Sequence, residues 1–259
     1  MAGRKKQEQR LIRNRDLLSV FLRSFFIQTV WNFKSLLAVG LSFALIPVAK
    51  RVCKNEQELK EFLNRHLAFF NAHPYFSAYA IGAIARLEEA HALGELDDVE
   101  KINKFKNAII GPLGAVGDQF FWATIKPASL LLGLLGVAVF QDMRWKVASL
   151  VVLLLAYNIP HLYIRLAGLW QGYRKGFDIY KTLRMEHFQR VRTIYALVGA
   201  AALGLFTGFV FTREWSDSAL SGLVFMTTGV FTVALRKKTS SFYLPVAAAI
   251  LVSLILGLL

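Results

Sequence analysis

The stretch TIYALVGAAALGLFTGFVF, Thr193–Phe211, holds nineteen consecutive residues without a charge. SALSGLVFMTTGVFTVAL (Ser218–Leu235) and SFYLPVAAAILVSLILGLL (Ser241–Leu259) follow it, with eighteen and nineteen. Each approaches the roughly 20 apolar residues that a helix needs to cross about 30 Å of hydrocarbon. Their glycines and alanines, Gly199-Ala200-Ala201, Gly204, Gly208 and Ala247-Ala248-Ala249, suit close helix packing in lipid. Buried helices of a soluble core are the competing reading. Three such stretches in direct succession, joined by short loops, favour a transmembrane bundle over residues 193–259.

Loop charge sets the expected orientation. Arg174, Lys175, Lys181, Arg184, Arg190 and Arg192 precede the first span, which puts the basic connection 171–192 on the cytoplasmic side. The Thr212–Asp217 connection has one cation, Arg213, and is expected outside, with Arg236-Lys237-Lys238 returning the chain to the cytoplasm. Leu259 then ends outside.

Upstream, the apolar stretches are shorter. Ser35–Ala49, Tyr75–Ala85, Ala128–Phe140 and Val147–Pro160 run 11 to 15 residues, and Ala108–Ile125 is broken by Gly, Pro and Asp. Such lengths indicate re-entrant or interfacial segments, which survive at membrane depth only where protein or a watery cavity covers the backbone. Two crossings plus re-entrant hairpins satisfy the expected cytoplasmic location of both the basic N-terminus and 171–192. Between these pieces lie polar helices. Asn55 with Glu58 has the form of a capping box, followed by an apolar face of Leu59, Phe62, Leu63, Leu67 and Phe70. The fold class expected is therefore an all-α integral membrane protein, with broken or re-entrant helices in the N-terminal two-thirds and a C-terminal three-helix bundle. Its parts are an amphipathic anchor and polar-striped helix (1–34), a broken-helix membrane core (35–170), the basic connection (171–192) and three transmembrane helices (193–259).

The totals fit this placement. A net charge of +14 and a pI near 10.0 resemble a nucleic-acid binder, but 55% hydrophobic residues and a mean hydropathy of +0.44 do not. The cations sit at the N-terminus, in Arg174–Arg192 and at Arg236–Lys238, where they read as topology signals and contacts with anionic lipid. No nucleic-acid partner is expected. Cys53 is the single cysteine, which excludes a disulfide framework; lying amid Lys50, Arg51 and Lys54, its thiol is expected to have a depressed pKa without a functional role.

Two clusters carry candidate chemistry. On a helix through Asp16–Phe33, Ser24, Gln28 and Asn32 fall at i, i+4 and i+8, with Trp31 alongside. Amides bond sugar hydroxyls in both directions and an indole covers the C–H face of a ring; a polar seam against water or another helix is the bland alternative. The second cluster is Gly111-Pro112-Leu113-Gly114-Ala115-Val116-Gly117-Asp118. Its glycines and proline are expected to interrupt the helix beside a membrane-embedded carboxylate, as at transporter substrate sites; a hairpin tip capped by Asp118 is the alternative. Glu88-Glu89 with His91 is expected to be a solvated helix face, and Arg165, seven residues from Asn158, should find a carboxylate or snorkel. No cofactor, metal site or catalysis by this chain alone is expected.

The order Phe21-Leu22-Arg23-Ser24, Gln28, Trp31-Asn32-Phe33, Arg65-His66-Leu67, Phe69-Phe70-Asn71 and Pro74 resembles the IID component of mannose/fructose/sorbose-family phosphoenolpyruvate-dependent sugar phosphotransferase systems. The similarity continues through Leu87-Glu88-Glu89, Gly111-Pro112-Leu113, Val116-Gly117-Asp118, Phe121-Trp122, Pro127, Asn158, Arg165, Gly172-Tyr173, Lys175-Gly176 and Asp178-Ile179. Gln119 after Asp118, where the family often has proline, His161 in place of a basic residue, and the short 212–217 connection depart from the pattern. The resemblance implies a multi-pass subunit of the bacterial cytoplasmic membrane that pairs with a IIC subunit, in trimers of IIC–IID pairs. The pair would translocate a hexose or amino sugar, which IIB phosphorylates with phosphate relayed through IIA. Ser24, Gln28, Trp31, Asn32 and Asp118 are the expected sugar-path residues, supported by Gly111, Pro112 and Gly117, with Glu88 and Arg165 as ion-pair candidates. A divergent IID-like protein with a structural or regulatory role is the rival.

Overall fold

The helix Ser77–Ala92 is buried almost all round. Its run of Ala, Ile, Gly and Tyr offers no polar face until Arg86, and a helix apolar on every side finds its stability in the interior. A computed structural model describes residues 10–217, with Leu223, Met226, Thr227 and Val230 beyond them. The helices are α1 (Asn14–Ser24), α2 (Ala38–Val52), α3 (Glu56–Leu67), α4 (Ser77–Ala92), α5 (Glu100–Gly117), α6 (Lys126–Val139), α7 (Met143–Lys175) and α8 (Met185–Asp217). A π-helical segment, Asp118–Ile125, fuses α5 to α6, and a 3-10 segment, Gly176–Thr182, extends α7. Among the described residues there is no strand, only isolated bridges pairing Leu36 with Asn32 and with Phe70.

The chain forms two compact units. The first comprises residues 1–129 and 154–196 and holds the main core, from Leu17 and Leu41 through Ile81 and Phe121 to Leu169. In it α4 and α7 approach until their backbones nearly touch. A Cβ on Gly82 would stand 2.1 Å from the Leu169 carbonyl oxygen, and one on Gly172 would stand 2.3 Å from that of Tyr79. The second unit comprises 130–153 and 197–259; there α6 returns into α7 through a turn in which Asp142 Oδ1 accepts from the Arg144 amide at 2.7 Å.

Among the described residues, three helical runs are long and apolar enough to cross a membrane: 100–139, 143–182 and 185–213. The all-helical membrane class read from the sequence is thus what the chain adopts, and Thr193–Phe211 lies within α8. Of the other two expected C-terminal spans, Ser241–Leu259 lies outside the described residues, and so does Ser218–Leu235 apart from Leu223, Met226, Thr227 and Val230, which are helical and exposed.

Four local expectations need correction. The polar-striped helix stops at Ser24, because Phe26-Ile27-Gln28-Thr29-Val30 is rich in β-branched residues and Asn32 offers the backbone an alternative. Asn32 Oδ1 accepts from the amides of Lys34 (3.0 Å) and Ser35 (2.9 Å), an Asx turn that competes with helix. The helix does not break at Gly111–Gly117; α5 runs through it, and the irregularity comes later as the π segment. Pro127 has no N–H to give to the preceding turn, so the ladder widens just before it, and the Thr124 hydroxyl bonds the Gln119 carbonyl at 2.8 Å. Thr212–Asp217 continues α8 instead of forming a loop, there being no Gly or Pro to end it. Finally, the Asn55 cap forms, its side chain accepting from the Glu58 amide at 2.9 Å, but Glu58 reaches the Lys54 amide at 2.8 Å, and Leu59 and Leu67 stay exposed while Phe62 is buried.

Candidate functional site

Glu88 and Glu89 lie at the C-terminal end of α4, where the close α4–α7 packing carries them into the interior. Both are buried, against the expectation of a solvated face, because each meets donors from other elements. Arg65 Nε and Nη2 clamp Glu88 at 2.8 and 2.9 Å, and His66 Nε2 donates to Glu88 Oε1 at 2.8 Å. Burial opposes ionisation of Glu88, but the bonds from His66 and Arg65 outweigh it and hold its carboxyl below the usual range. Full burial pushes His66 down, so it is neutral with Nδ1 unprotonated, and Nδ1 has no partner. Glu89 Oε1 accepts from the amides of Leu11 and Ile12 at 2.7 and 2.8 Å, and Oε2 accepts from the Tyr173 hydroxyl at 2.5 Å. The pair thus ties α3, α4, α7 and the chain before α1 together. Cys53 is half-buried near this corner, and burial with the Glu88 and Glu58 charges pushes its thiol up, the reverse of the expected depression. Arg51, whose charge was counted toward that depression, is occupied by Asp16 at 2.9 Å.

Arg165 finds neither a carboxylate among the described residues nor a route to the surface. It is 2% exposed. Its Nη1 bonds the Ser24 carbonyl and, at 3.1 Å, the Ser24 hydroxyl, while Nε donates to His161 Nε2 at 3.3 Å. The guanidinium lies over the rings of Phe25 (4.7 Å) and Tyr75 (5.4 Å). It therefore fastens the end of α1, where the stripe residues diverge. Ser24 is buried beneath Arg165, Gln28 and Trp31 are exposed on the following loop, and Asn32 folds that loop through its Asx turn.

An aromatic cluster extends from this corner toward the π segment. Tyr75 stacks on His161 at 3.8 Å and shares a 2.7 Å hydroxyl contact with Tyr157; His73 stacks on Phe121 and lies 4.8 Å from the Trp122 ring. Gly117 makes room for it, since a Cβ there would fall 2.2 Å from His73 Cβ. Sequence reasoning missed His73, Tyr75, Tyr157 and His161. Their positions are scattered, and only the His161/Arg165 spacing of one helical turn pointed to a contact.

On either side of Gly117, the rod formed by α5 and the π segment turns another face outward. Gly111, Pro112, Ala115, Asp118, Gln119 and Trp122 are exposed, while Leu113, Val116, Phe120 and Phe121 are buried. A Cβ at Gly111 or Gly114 would meet nothing within 4 Å. The Asp118 carboxylate lies within the 100–139 run, whose first residues, Glu100–Asn107, are polar, and it bonds to no described residue. No group of three or more His, Cys, Asp or Glu side chains among the described residues is placed to hold a metal ion.

Comparison with known proteins now bears on this arrangement. Residues 11–215 match the family model for the IID component of the PTS system mannose/fructose/sorbose family. The mannose-specific EIID component of Escherichia coli K12 is 34% identical over 202 residues, covering 78% of this chain and 68% of the relative. The sorbose-specific EIID component of Klebsiella pneumoniae is 31% identical over 86% and 77%, and the fructose permease IID component of Bacillus subtilis is 31% identical over 82% and 73%. One solved structure, described as a membrane protein, aligns with a TM-score of 0.72 at 28% identity over 96% of this chain and 97% of that one. A chain from the structure of the mannose transporter ManYZ with microcin E492 aligns with a TM-score of 0.59 at 28% identity, over 95% and 96%. The protein is a membrane protein, and it belongs to the IID components of the mannose/fructose/sorbose family of sugar phosphotransferase systems.

Proposed function

We propose that this chain, together with a IIC partner, carries a hexose or amino sugar across the bacterial cytoplasmic membrane, with the exposed Asp118 face at the sugar path. The observation that carries this is the carboxylate itself. A carboxylate on a helix long and apolar enough to cross a membrane is costly where lipid surrounds it and is retained where a partner or a polar path covers it. Small residues flank it at Gly111, Gly114 and Ala115, so another backbone can approach closely. Asp118 accepts from sugar hydroxyls, the neighbouring Gln119 amide bonds them in either direction, and the Trp122 indole offers an apolar face. Gln28 and Trp31 contribute from the exposed loop, while Ser24, Asn32 and Arg165 hold that loop in place and Gly117 holds the rod against His73.

The relatives' names support the sugar class, and the ManYZ likeness supports a IIC–IID pair. In this reading the N-terminus and 171–192 face the cytoplasm, the C-terminus faces outside, and the IIC–IID pairs assemble as trimers. The aromatic-anchored core shifts as a body against a scaffold to change access. IIB then transfers a phosphoryl group from its own side chain to a sugar hydroxyl at the cytoplasmic mouth, IIA having loaded it. The test is uptake of a panel of labelled hexoses and amino sugars in cells lacking their own mannose-family permease. Uptake is expected only when this chain and its IIC are expressed together with IIA and IIB. Equal uptake without this chain contradicts the reading.

A further inference from the structure

A cavity of about 500 Å³ opens where the chain before α1 meets the ends of α4 and α7, within the size range of roughly 300–1,000 Å³ seen for ligand sites. Its wall carries three guanidiniums, from Arg10, Arg86 and Arg174, and one carboxylate, Glu89. That carboxylate is already committed to the Leu11 and Ile12 amides and the Tyr173 hydroxyl, and of the three arginines only Arg86 touches it, at 3.4 Å. Arg86 also reaches Glu95 at 3.1 Å, whereas Arg174 is exposed with no ion-pair partner among the described residues. Arg10 is fixed in place by its bond to the Tyr173 hydroxyl at 3.3 Å and by lying 5.1 Å over that ring, neither of which neutralises it. Asn14, in the first turn of α1, adds a side-chain amide and the positive end of a helix dipole.

We propose that this cavity binds the phosphate headgroup of an anionic phospholipid. The arginines present planar N–H forks that match phosphate oxygens. The location selects a lipid over a soluble anion: Arg174 closes the α-helical part of a membrane-crossing run, and Trp170 and Leu17 give the wall an aromatic and apolar side at the level where belts of tryptophan mark the interface. Basic pockets at this level between membrane helices take phospholipid headgroups. A second cavity of about 310 Å³ shares Arg86 and Arg174 and adds Lys175, but it also carries the carboxylates of Glu95 and Asp178, so the excess positive charge is concentrated in the first. The site is separate from the Asp118 face and stands whether or not that face handles sugar.

The test is native mass spectrometry of the detergent-purified full-length chain with its IIC partner, titrated with dioleoylphosphatidylglycerol or dioleoylphosphatidylcholine. Phosphatidylglycerol is expected to be retained at least about tenfold more tightly. Arg174→Gln is expected to weaken it about fivefold, and Arg10→Gln with Arg174→Gln about 25-fold, from the usual worth of one surface arginine near anionic lipid. Lys60→Gln on the exposed side of α3 removes the same charge and leaves binding unchanged. Arg174 has no ion-pair partner to lose among the described residues, so its single variant stays informative if the Arg10 change disturbs Tyr173. Equal retention of the two lipids overturns the proposal, as does undiminished phosphatidylglycerol binding by the double variant. Displacement of the lipid by millimolar inorganic phosphate assigns a free-anion site instead, and loss of soluble IIB binding with lipid binding intact assigns a protein-docking surface; either result overturns it.

Discussion

Glu88 and Asp118 are both single carboxylates on helices of the same compact unit, and they live in opposite surroundings. Glu88 is 2% exposed and accepts from Arg65 and His66, while Asp118 is exposed within a run long and apolar enough to cross a membrane and bonds to no described side chain. A buried charge with every donor in place is architecture, since removing one member leaves the others stranded. A charge with no partner among the described residues leaves its partner to come from beyond them. The sequence reads Glu88 as solvated and Asp118 as embedded; what separates them in the structure is which donors the fold brings within reach.

The sharpest way to break the contrast is to remove the buried member. Glu88→Gln leaves Arg65 without its counter-charge and Lys106, whose Nζ bonds the Arg65 carbonyl at 2.6 Å, beside it. Removing one partner of a buried pair costs about 3–5 kcal/mol. The expected result is loss of monodisperse protein, or a large fall in thermal midpoint in detergent. Next comes Gly82→Val, whose side chain has to enter the space held by the Leu169 carbonyl oxygen. Overpacking of this kind costs about 1–3 kcal/mol, and a thermal melt should show it with transport geometry intact in the surviving fraction.

A smaller effect comes from pH. Burial lowers the folded-state pKa of His66 below its unfolded value of about 6.5, so below that pH the unfolded chain binds more protons than the folded one. Stability is full above about 6.5 and declines as pH falls toward the folded pKa. Glu88, whose carboxyl is held low, adds its own loss further down, beginning below its unfolded value of about 4.3. The thermal midpoint should therefore drop between pH 7.5 and 5.5, and His66→Gln, which still offers Glu88 an N–H, should flatten that slope. A wild-type midpoint independent of pH over this range would contradict the neutral, buried His66.

The sequence carried the class of fold because length and hydropathy alone identify membrane-crossing helices, and Thr193–Phe211 is long enough to be unambiguous. It carried less of the detail. Gly111-Pro112 looks like a break, yet α5 continues because intrahelical bonding is the one way to satisfy its backbone in an apolar surround; the true irregularity follows from Pro127, a residue outside the glycine cluster. Ser24, Gln28 and Asn32 share a helical spacing, but the Asx turn at Asn32 and the hold of Arg165 on Ser24 end the helix first. Glu88 and Glu89 read as solvated because their donors, Arg65, His66, Tyr173 and the amides of Leu11 and Ile12, are far away in sequence. Long-range donors of this kind have no local signature. Asp118 is read from its apolar neighbours alone, and in the structure its carboxylate is exposed with no partner among the described residues.

The comparison is tested most directly by Asp118→Asn, the variant expected to disturb the fold least. An exposed side chain with no described partner should cost at most about 0.5 kcal/mol when replaced by its amide. Labelled-sugar uptake should be measured with the IIC partner and the phosphotransfer proteins co-expressed, alongside the thermal midpoint of the purified complex. The expected result is an unchanged midpoint with uptake reduced at least about tenfold, the loss of one charge-assisted hydrogen bond to the sugar. Uptake equal to wild type at equal protein level would contradict the assignment of Asp118 to the sugar path.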